Sequence, residues 1–211
     1  NPEEPGALDE SFAVAARDES VDLVIANDPD ADRLSVSVPT DDGWRALSGN
    51  QVGVLLADWC LDGSQSNPLV VNSVVSSPML GKVAAARDAT WATTLTGFKW
   101  IWNAALDLAA DHDFVMGYEE ALGYSVGPSV RDKDGMSAAL VFADMAAHAK
   151  AAGKNVLDRL AALYTECGVW TSAQLSVRFE GPSGLDQIEP TLDTLATSPP
   201  EALNGLHVSA V

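Results

Sequence analysis

The chain has 211 residues, 47% hydrophobic and 20% charged, which fits one or two globular domains and excludes a disordered, collagen-like or coiled-coil protein. Twelve Lys and Arg against thirty Asp and Glu give a net charge of −18; such a surface repels a phosphate backbone or an anionic membrane, so neither nucleic acid nor membrane is expected as a partner. No apolar run approaches the ~18 to 20 residues that span a bilayer, and Cys60 and Cys167 lie far apart without metal-like spacing, as expected of reduced thiols in a soluble, cytoplasmic protein.

Residues 1–11 are turn-rich and acidic and are expected to form neither helix nor strand, like a cut end. Val21 to Ala26 is short and mostly apolar, a buried strand running into the loop Asn27-Asp28-Pro29-Asp30. Arg33 to Pro39 alternates apolar and polar residues as a second strand, and Asp41-Asp42-Gly43 makes a hairpin turn. Ser48-Gly49-Asn50 supplies capping chemistry for a helix from Gln51 to Leu61. Strands at Pro68 to Val75, Thr90 to Leu95 and Phe114 to Gly117 then alternate with helices at Pro78 to Arg87 and Phe98 to Ala110. That alternation predicts an α/β fold with mixed sheets and helices on both faces. Helices follow from Gly135 to Ala152 and from Val156 to about Glu166, with Gly153 and Gly168 as stops. A strand from Ser172 to Phe179, a turn at Gly181 to Gly184 and a helix from Leu185 to Ala196 start something new, with α+β character.

Four loops carry groups with chemistry. Asp28-Pro29-Asp30-Ala31-Asp32-Arg33 places three carboxylates at alternate positions after a buried strand. In an extended loop, alternate residues can converge on one point, as ligation of a hard divalent cation requires; the alternative is a solvated acidic loop. An EF-hand is excluded, because its sixth position would be Arg33 instead of Gly and its twelfth Pro39 instead of Glu. Gly117-Tyr118-Glu119-Glu120-Ala121-Leu122-Gly123 sets two carboxylates on a glycine-bounded loop, suited either to the vicinal hydroxyls of a sugar or to an ordinary exposed turn. Arg131-Asp132-Lys133-Asp134-Gly135 precedes a helix; it is either a cap with local ion pairs or a place where Lys133 meets a phosphate or moves a proton. Thr94-Leu95-Thr96-Gly97-Phe98-Lys99 is a strand-to-helix turn whose N–H groups and Lys99 either hold an anion or simply start a helix.

Together and in this order the four loops resemble the α-D-phosphohexomutase family of phosphoglucomutases, phosphomannomutases and phosphopentomutase relatives. Asp28 to Arg33 is similar to its metal loop, Thr96 to Lys99 to its Thr-Gly-aromatic-Lys turn, Gly117 to Gly123 to its sugar loop, and Arg131 to Gly135 to its Arg-Asp-Lys-Asp-Gly segment. The resemblance implies a four-domain, Mg²⁺-dependent enzyme in which a phosphoserine passes its phosphoryl group to a sugar phosphate and takes the other phosphoryl back from the bisphosphate. It implies Asp28, Asp30 and Asp32 as Mg²⁺ ligands and Arg33 and Lys133 at the catalytic centre. Thr96, Gly97, Lys99, Glu119, Glu120 and Ala121 would line the substrate. Residues 1–46 would be the end of the second domain, 47–168 the third and 169–211 the start of the fourth.

The chain departs from the family pattern in three places. It has no Ser-His pair for the Ser-His-Asn nucleophile loop, since His112, His148 and His207 follow Asp111, Ala147 and Leu206. It lacks the Arg-Pro-Ser-Gly-Thr-Glu phosphate loop, for Gly181-Pro182-Ser183-Gly184 has no preceding Arg and runs into Leu185-Asp186. An internal piece of the enzyme is therefore expected, with the phosphoserine and the remaining domains outside it. Finally, Ala121 stands where many hexose enzymes of the family place Ser, as in the phosphopentomutase-like branch, so hexose and pentose both stay open. Two rivals are an aspartyl-phosphate phosphatase with Asp28 as nucleophile, against which Asp32 stands where Thr or Val belongs, and a cation-binding module without turnover.

Overall fold

Local rules account for the first elements of the computed structural model, which describes all residues except 1, 5, 62, 64, 173–178, 180, 182, 204 and 209–211. The acidic opening is not wholly irregular: Asp9–Ala15 forms helix α1. Asp9 and Glu10 complement its N-terminal dipole, and Phe12 stacks on Trp44 at 6.4 Å, a tertiary contact that turn-rich composition does not reveal. Strands β1 (Val24–Ala26), β2 (Ser35–Thr40) and β3 (Gly43–Ala46) pair antiparallel in that order, with the expected turn between Thr40 and Gly43.

Helix α2 (Gly49–Cys60) starts with a reciprocal cap, in which Gln51 N–H donates to the Ser48 hydroxyl and Ser48 N–H to the Gln51 side chain. There follow β4 (Pro68–Ser73), α3 (Met79–Ala86), β5 (Thr90–Thr94), α4 (Phe98–Asp107), β6 (Asp113–Glu119), β7 (Gly123–Val126), α5 (Gly135–Ala151) and α6 (Val156–Cys167). Their sheet has the order β5-β4-β6-β7, parallel except for β7. Its central strand β4 is buried at every position, and its alternation supplies two cores. Leu69 and Val71 pack with Phe98, Ile101 and Trp102 of α4. Val70 belongs to the larger core, with Val52 and Leu55 of α2, Leu80 of α3, and Phe142 and Met145 of α5. Helices therefore cover both faces, as the α/β alternation predicts.

A register shift between Leu69 and Val70 lets Met116 and Tyr118 of β6 join the larger core. The Tyr118 ring lies flat against Gly53, where a Cβ would come within 2.6 Å of it. The C-terminal ends of β4 and β6 thus meet the N-terminus of α2, and the functional loops gather there.

Residues 1–171 and 172–211 form two compact units. The second contains helix α7 (Gly184–Thr197) and a short hairpin of β8 (Ala202–Leu203) and β9 (Leu206–His207). The expected strand Ser172 to Phe179 falls largely on residues 173–178, outside the described ones. Among the described residues, no helix is long and apolar enough to cross a membrane.

Candidate active site

The acidic loop does not converge by extension. Ala31 N–H donates to the Asp28 carbonyl at 3.0 Å, and Ala31 takes a left-handed φ of 59°, so a tight turn folds the three acids toward one another. One carboxylate oxygen from each of Asp28, Asp30 and Asp32 lies within 4.8 Å of the others. Asp28 is buried, Asp32 half-buried and Asp30 exposed. Burial disfavours the Asp28 carboxylate, but Arg33 outweighs it. Its backbone N–H donates to Oδ1 at 3.0 Å and its Nε to Oδ2 at 2.7 Å, holding the carboxyl at about 2.

Two segments distant in sequence are sewn to this turn. Arg33 bridges Gly123 in antiparallel fashion and Leu34 N–H donates to the Leu122 carbonyl, which joins the acidic loop to the end of the β6–β7 hairpin. Gly135 N–H donates to the Ala31 carbonyl and Asp134 N–H to that of Tyr124, which brings in the Arg131 to Gly135 segment. Asp134 also caps α5, accepting from the N–H groups of Met136 and Ser137. Lys133 follows from that placement. Its ammonium lies 3.0 Å from Asp32 Oδ2 and 3.6 Å from Asp132 Oδ1, and 5.6 Å above the Phe98 ring. Desolvation works against the Lys133 cation, yet its hydrogen bond to Asp32 prevails and raises the pKa. Arg131 is exposed.

The two glutamates occupy different surroundings, and they sit on a hairpin instead of an open loop: β6 ends at Glu119 and β7 begins at Gly123. Glu119 Oε1 accepts the Gly97 N–H at 2.5 Å. A protein carboxylate therefore takes one of the N–H groups that the turn before α4 was expected to offer an anion. Glu120 Oε2 accepts from Ser76 Oγ at 2.7 Å and Ser73 Oγ at 3.3 Å, and Glu120 N–H donates to Ser76 Oγ at 3.1 Å. Thr96, Lys99 and Ala121 are exposed, and Lys99 Nζ stands 5.1 Å over the Trp100 ring.

Several positions that hold the site are not among the expected site residues. Ser73 and Ser76 are buried beneath Glu120. Asn50, at the start of α2, accepts from Ser77 N–H at 2.8 Å and from the Tyr118 hydroxyl at 3.3 Å, fixing the turn between β4 and α3. Glycines permit the close approaches: a Cβ at Gly49 would meet the Glu120 carbonyl oxygen at 1.8 Å, and one at Gly123 would meet Lys133 Cδ at 2.7 Å.

The family profile described as phosphoglucomutase/phosphomannomutase, alpha/beta/alpha domain III, matches residues 48–167. The chain belongs to the α-D-phosphohexomutase family. It is 41% identical to a Haemophilus influenzae protein named "Probable phosphomannomutase", over 99% of this chain and 41% of that protein. It is also 41% identical to the phosphopentomutase of Mus musculus, over 80% of this chain and 29% of that enzyme. The chain thus spans well under half the length of these curated relatives. Among solved structures, a phosphoglucomutase/phosphomannomutase family protein from Burkholderia thailandensis shares the fold with a TM-score of 0.61 at 18% identity, over 77% of this chain and 33% of that one.

Proposed function

We propose that this chain carries the cation loop and the sugar loop of a phosphosugar mutase. That enzyme interconverts sugar 1-phosphate and 6-phosphate, or 5-phosphate for pentoses, through a phosphoserine and a sugar bisphosphate. The observation that supports this most is the convergence of Asp28, Asp30 and Asp32 in one turn, with Arg33 and Lys133 paired against them. Three hard oxygen donors at this spacing fit Mg²⁺, which when bound supplies charge neutralisation at phosphoryl oxygens.

The chain's own residues do the rest. Arg33 and Lys133 present guanidinium and ammonium N–H groups to the phosphoryl oxygens, and positioned donors of this kind provide most of the catalysis in phosphoryl transfer. Glu119, oriented by the Gly97 N–H, holds sugar hydroxyls. Thr96, Gly97 and Lys99 border the same turn, and Ala121 stands at the hairpin tip. Glucose or mannose phosphate is the favoured substrate; the small Ala121 side chain supports a pentose phosphate as the second reading. A phosphatase using Asp28 as nucleophile is disfavoured, because both oxygens of this buried carboxylate are held by Arg33.

In this reading residues 1–46, 47–168 and 169–211 belong to the second, third and fourth domains of a cytoplasmic enzyme. The chain alone has no turnover, since it contains neither the Ser-His-Asn nor the Arg-Pro-Ser-Gly-Thr-Glu sequence. Two measurements test this. Calorimetric Mg²⁺ titration of the chain and of Asp30→Ala should show binding that the variant loses; equal binding refutes the ligand set. Assay of the purified chain with glucose, mannose and ribose 1-phosphates plus the matching bisphosphates should give no product above host background, and sustained turnover refutes the assignment.

A further inference from the structure

Lys133 is held so that its ammonium faces two carboxylates. Its backbone N–H donates to Asp132 Oδ1 at 2.7 Å, and its stem runs in a channel floored by Gly123, where a Cβ would overlap Cδ and Cγ at 2.7 and 3.1 Å. The same absent Cβ would touch Phe98 at 3.0 Å, so ring, glycine and stem are in mutual contact. The head emerges between two acids, Asp32 at 3.0 Å and Asp132 at 3.6 Å. Asp32 belongs to the triad; Asp132 does not, and its side chain is 67% exposed. A single ammonium thus has two carboxylates within reach of a small pivot of its last bonds, one inside the cation site and one outside it.

We infer that Lys133 competes with the divalent cation for Asp32, and that loading of the triad turns its ammonium toward Asp132 and any phosphoryl oxyanion beside it. The inference rests on the triad's being a cation site. Its physical basis is that a divalent ion drawing on Asp32 and an ammonium hydrogen-bonded to the same carboxylate repel each other. Even with water-like screening, a unit charge roughly 5 Å from a divalent ion weakens binding by about tenfold. Linkage makes the effect reciprocal: whatever displaces the ammonium from Asp32 favours the cation, and the cation favours an anion that takes the ammonium. Lys133 would then be a positioning residue that couples the two ligands, besides offering a donor to one of them.

The test is Mn²⁺ binding followed by the paramagnetic resonance of the free ion, with and without inorganic phosphate. It uses the chain, Lys133→Met, Lys133→Arg and Asp30→Ala, with circular dichroism to establish that each variant is folded. Lys133→Met should bind Mn²⁺ about tenfold more tightly than the parent, Lys133→Arg should stay near the parent, and the tightening of Mn²⁺ by phosphate should shrink in Lys133→Met alone. Binding by Lys133→Met that is equal to or weaker than the parent's overturns the competition, as does tightening by phosphate that is the same in both. If neither the parent nor Lys133→Met binds Mn²⁺, or if Asp30→Ala binds as well as the parent, the cation site itself falls and the inference with it.

Discussion

Gly135→Ala is the most searching single change at the seam between the acidic loop and α5. The new Cβ would sit 2.3 Å from the Arg33 carbonyl oxygen and 2.6 Å from Asn27 Nδ2. Ordinary contact begins near 3.4 Å, so the loop must retreat by about an ångström. Two hydrogen bonds are at stake: Gly135 N–H donates across the seam to the Ala31 carbonyl at 3.2 Å, and within the loop Asn27 Nδ2 donates to the same Arg33 carbonyl that the new Cβ would strike, at 2.6 Å. Losing both costs about 1 to 3 kcal/mol, and overpacking adds a cost of similar size. Better helix propensity returns up to about 1 kcal/mol. A net loss of about 2 kcal/mol is expected, or roughly 4 to 8 °C in Tm for a unit of this size. Because Ala31 lies between Asp30 and Asp32, the same retreat opens the triad, and Mn²⁺ affinity should fall at least several-fold. Met136→Ala, at a residue 67% exposed next to Gly135, should change stability by less than about 0.5 kcal/mol. Thermal unfolding and Mn²⁺ titration of both variants decide the matter. A Gly135→Ala protein with parental Tm and parental Mn²⁺ affinity would refute the claim that this seam sets the triad's geometry.

Three further changes probe the hairpin, the sugar and the ion pairs that tie α2 to the end of α3 and to α6. Glu120→Ala removes the carboxylate that accepts from Ser73 and Ser76 and leaves the two buried hydroxyls only each other as hydrogen-bond acceptor, which should cost about 1 to 3 kcal/mol and speed amide exchange at residues 119–123; unchanged exchange would mean the clasp does not hold the hairpin. In a complete mutase containing this chain, Ala121→Ser should shift kcat/KM several-fold toward hexose phosphates, since one added hydrogen bond is worth roughly 0.5 to 1.5 kcal/mol; an unaltered hexose-to-pentose ratio would show that this position does not sense the sugar. Asp58, with its side chain 6% exposed, pairs with Arg87 at 2.7 Å and Arg159 at 2.5 Å, and Asp58→Asn should lower urea stability by about 2 kcal/mol, less than for a fully buried pair because both arginines remain partly hydrated. A parental unfolding midpoint would sink that assignment.

The α/β alternation was legible because apolar runs in β4 and β6 alternate with helical segments that begin at recognisable caps. β4 is buried throughout, and the caps at Ser48 and Asp134 stand where hydroxyl and carboxylate chemistry predicts them. What escaped has tertiary causes. α1 owes its place to the stacking of Phe12 on Trp44, 32 residues apart in sequence. β7 has four residues, Gly-Tyr-Ser-Val, too few for a periodic signal, so the paired glutamates looked like a loop. The distinction between Glu119 and Glu120 was also invisible in the motif, because it is imposed by Gly97 on one side and by serines 44 and 47 residues away on the other.

The net charge of −18 bears on how such a chain could hold a phosphorylated ligand. Arg33 and Lys133 are not surplus positive charges, for each is already paired with an acid of the triad. Three acids and two cations carry a formal charge of minus one; Glu3, 3.7 Å from Arg33, and Asp132, 3.6 Å from Lys133, add two more negative charges, so a divalent ion reduces the local negative charge without reversing it. The acidic surface draws the divalent ion in and repels a sugar phosphate from everywhere else. In the proposed function the cation therefore comes first, because loading the triad adds two positive charges and eases the anion's approach at that place. That ordering follows from the charges of Asp28, Asp30, Asp32, Arg33 and Lys133, and not from the fold that presents them.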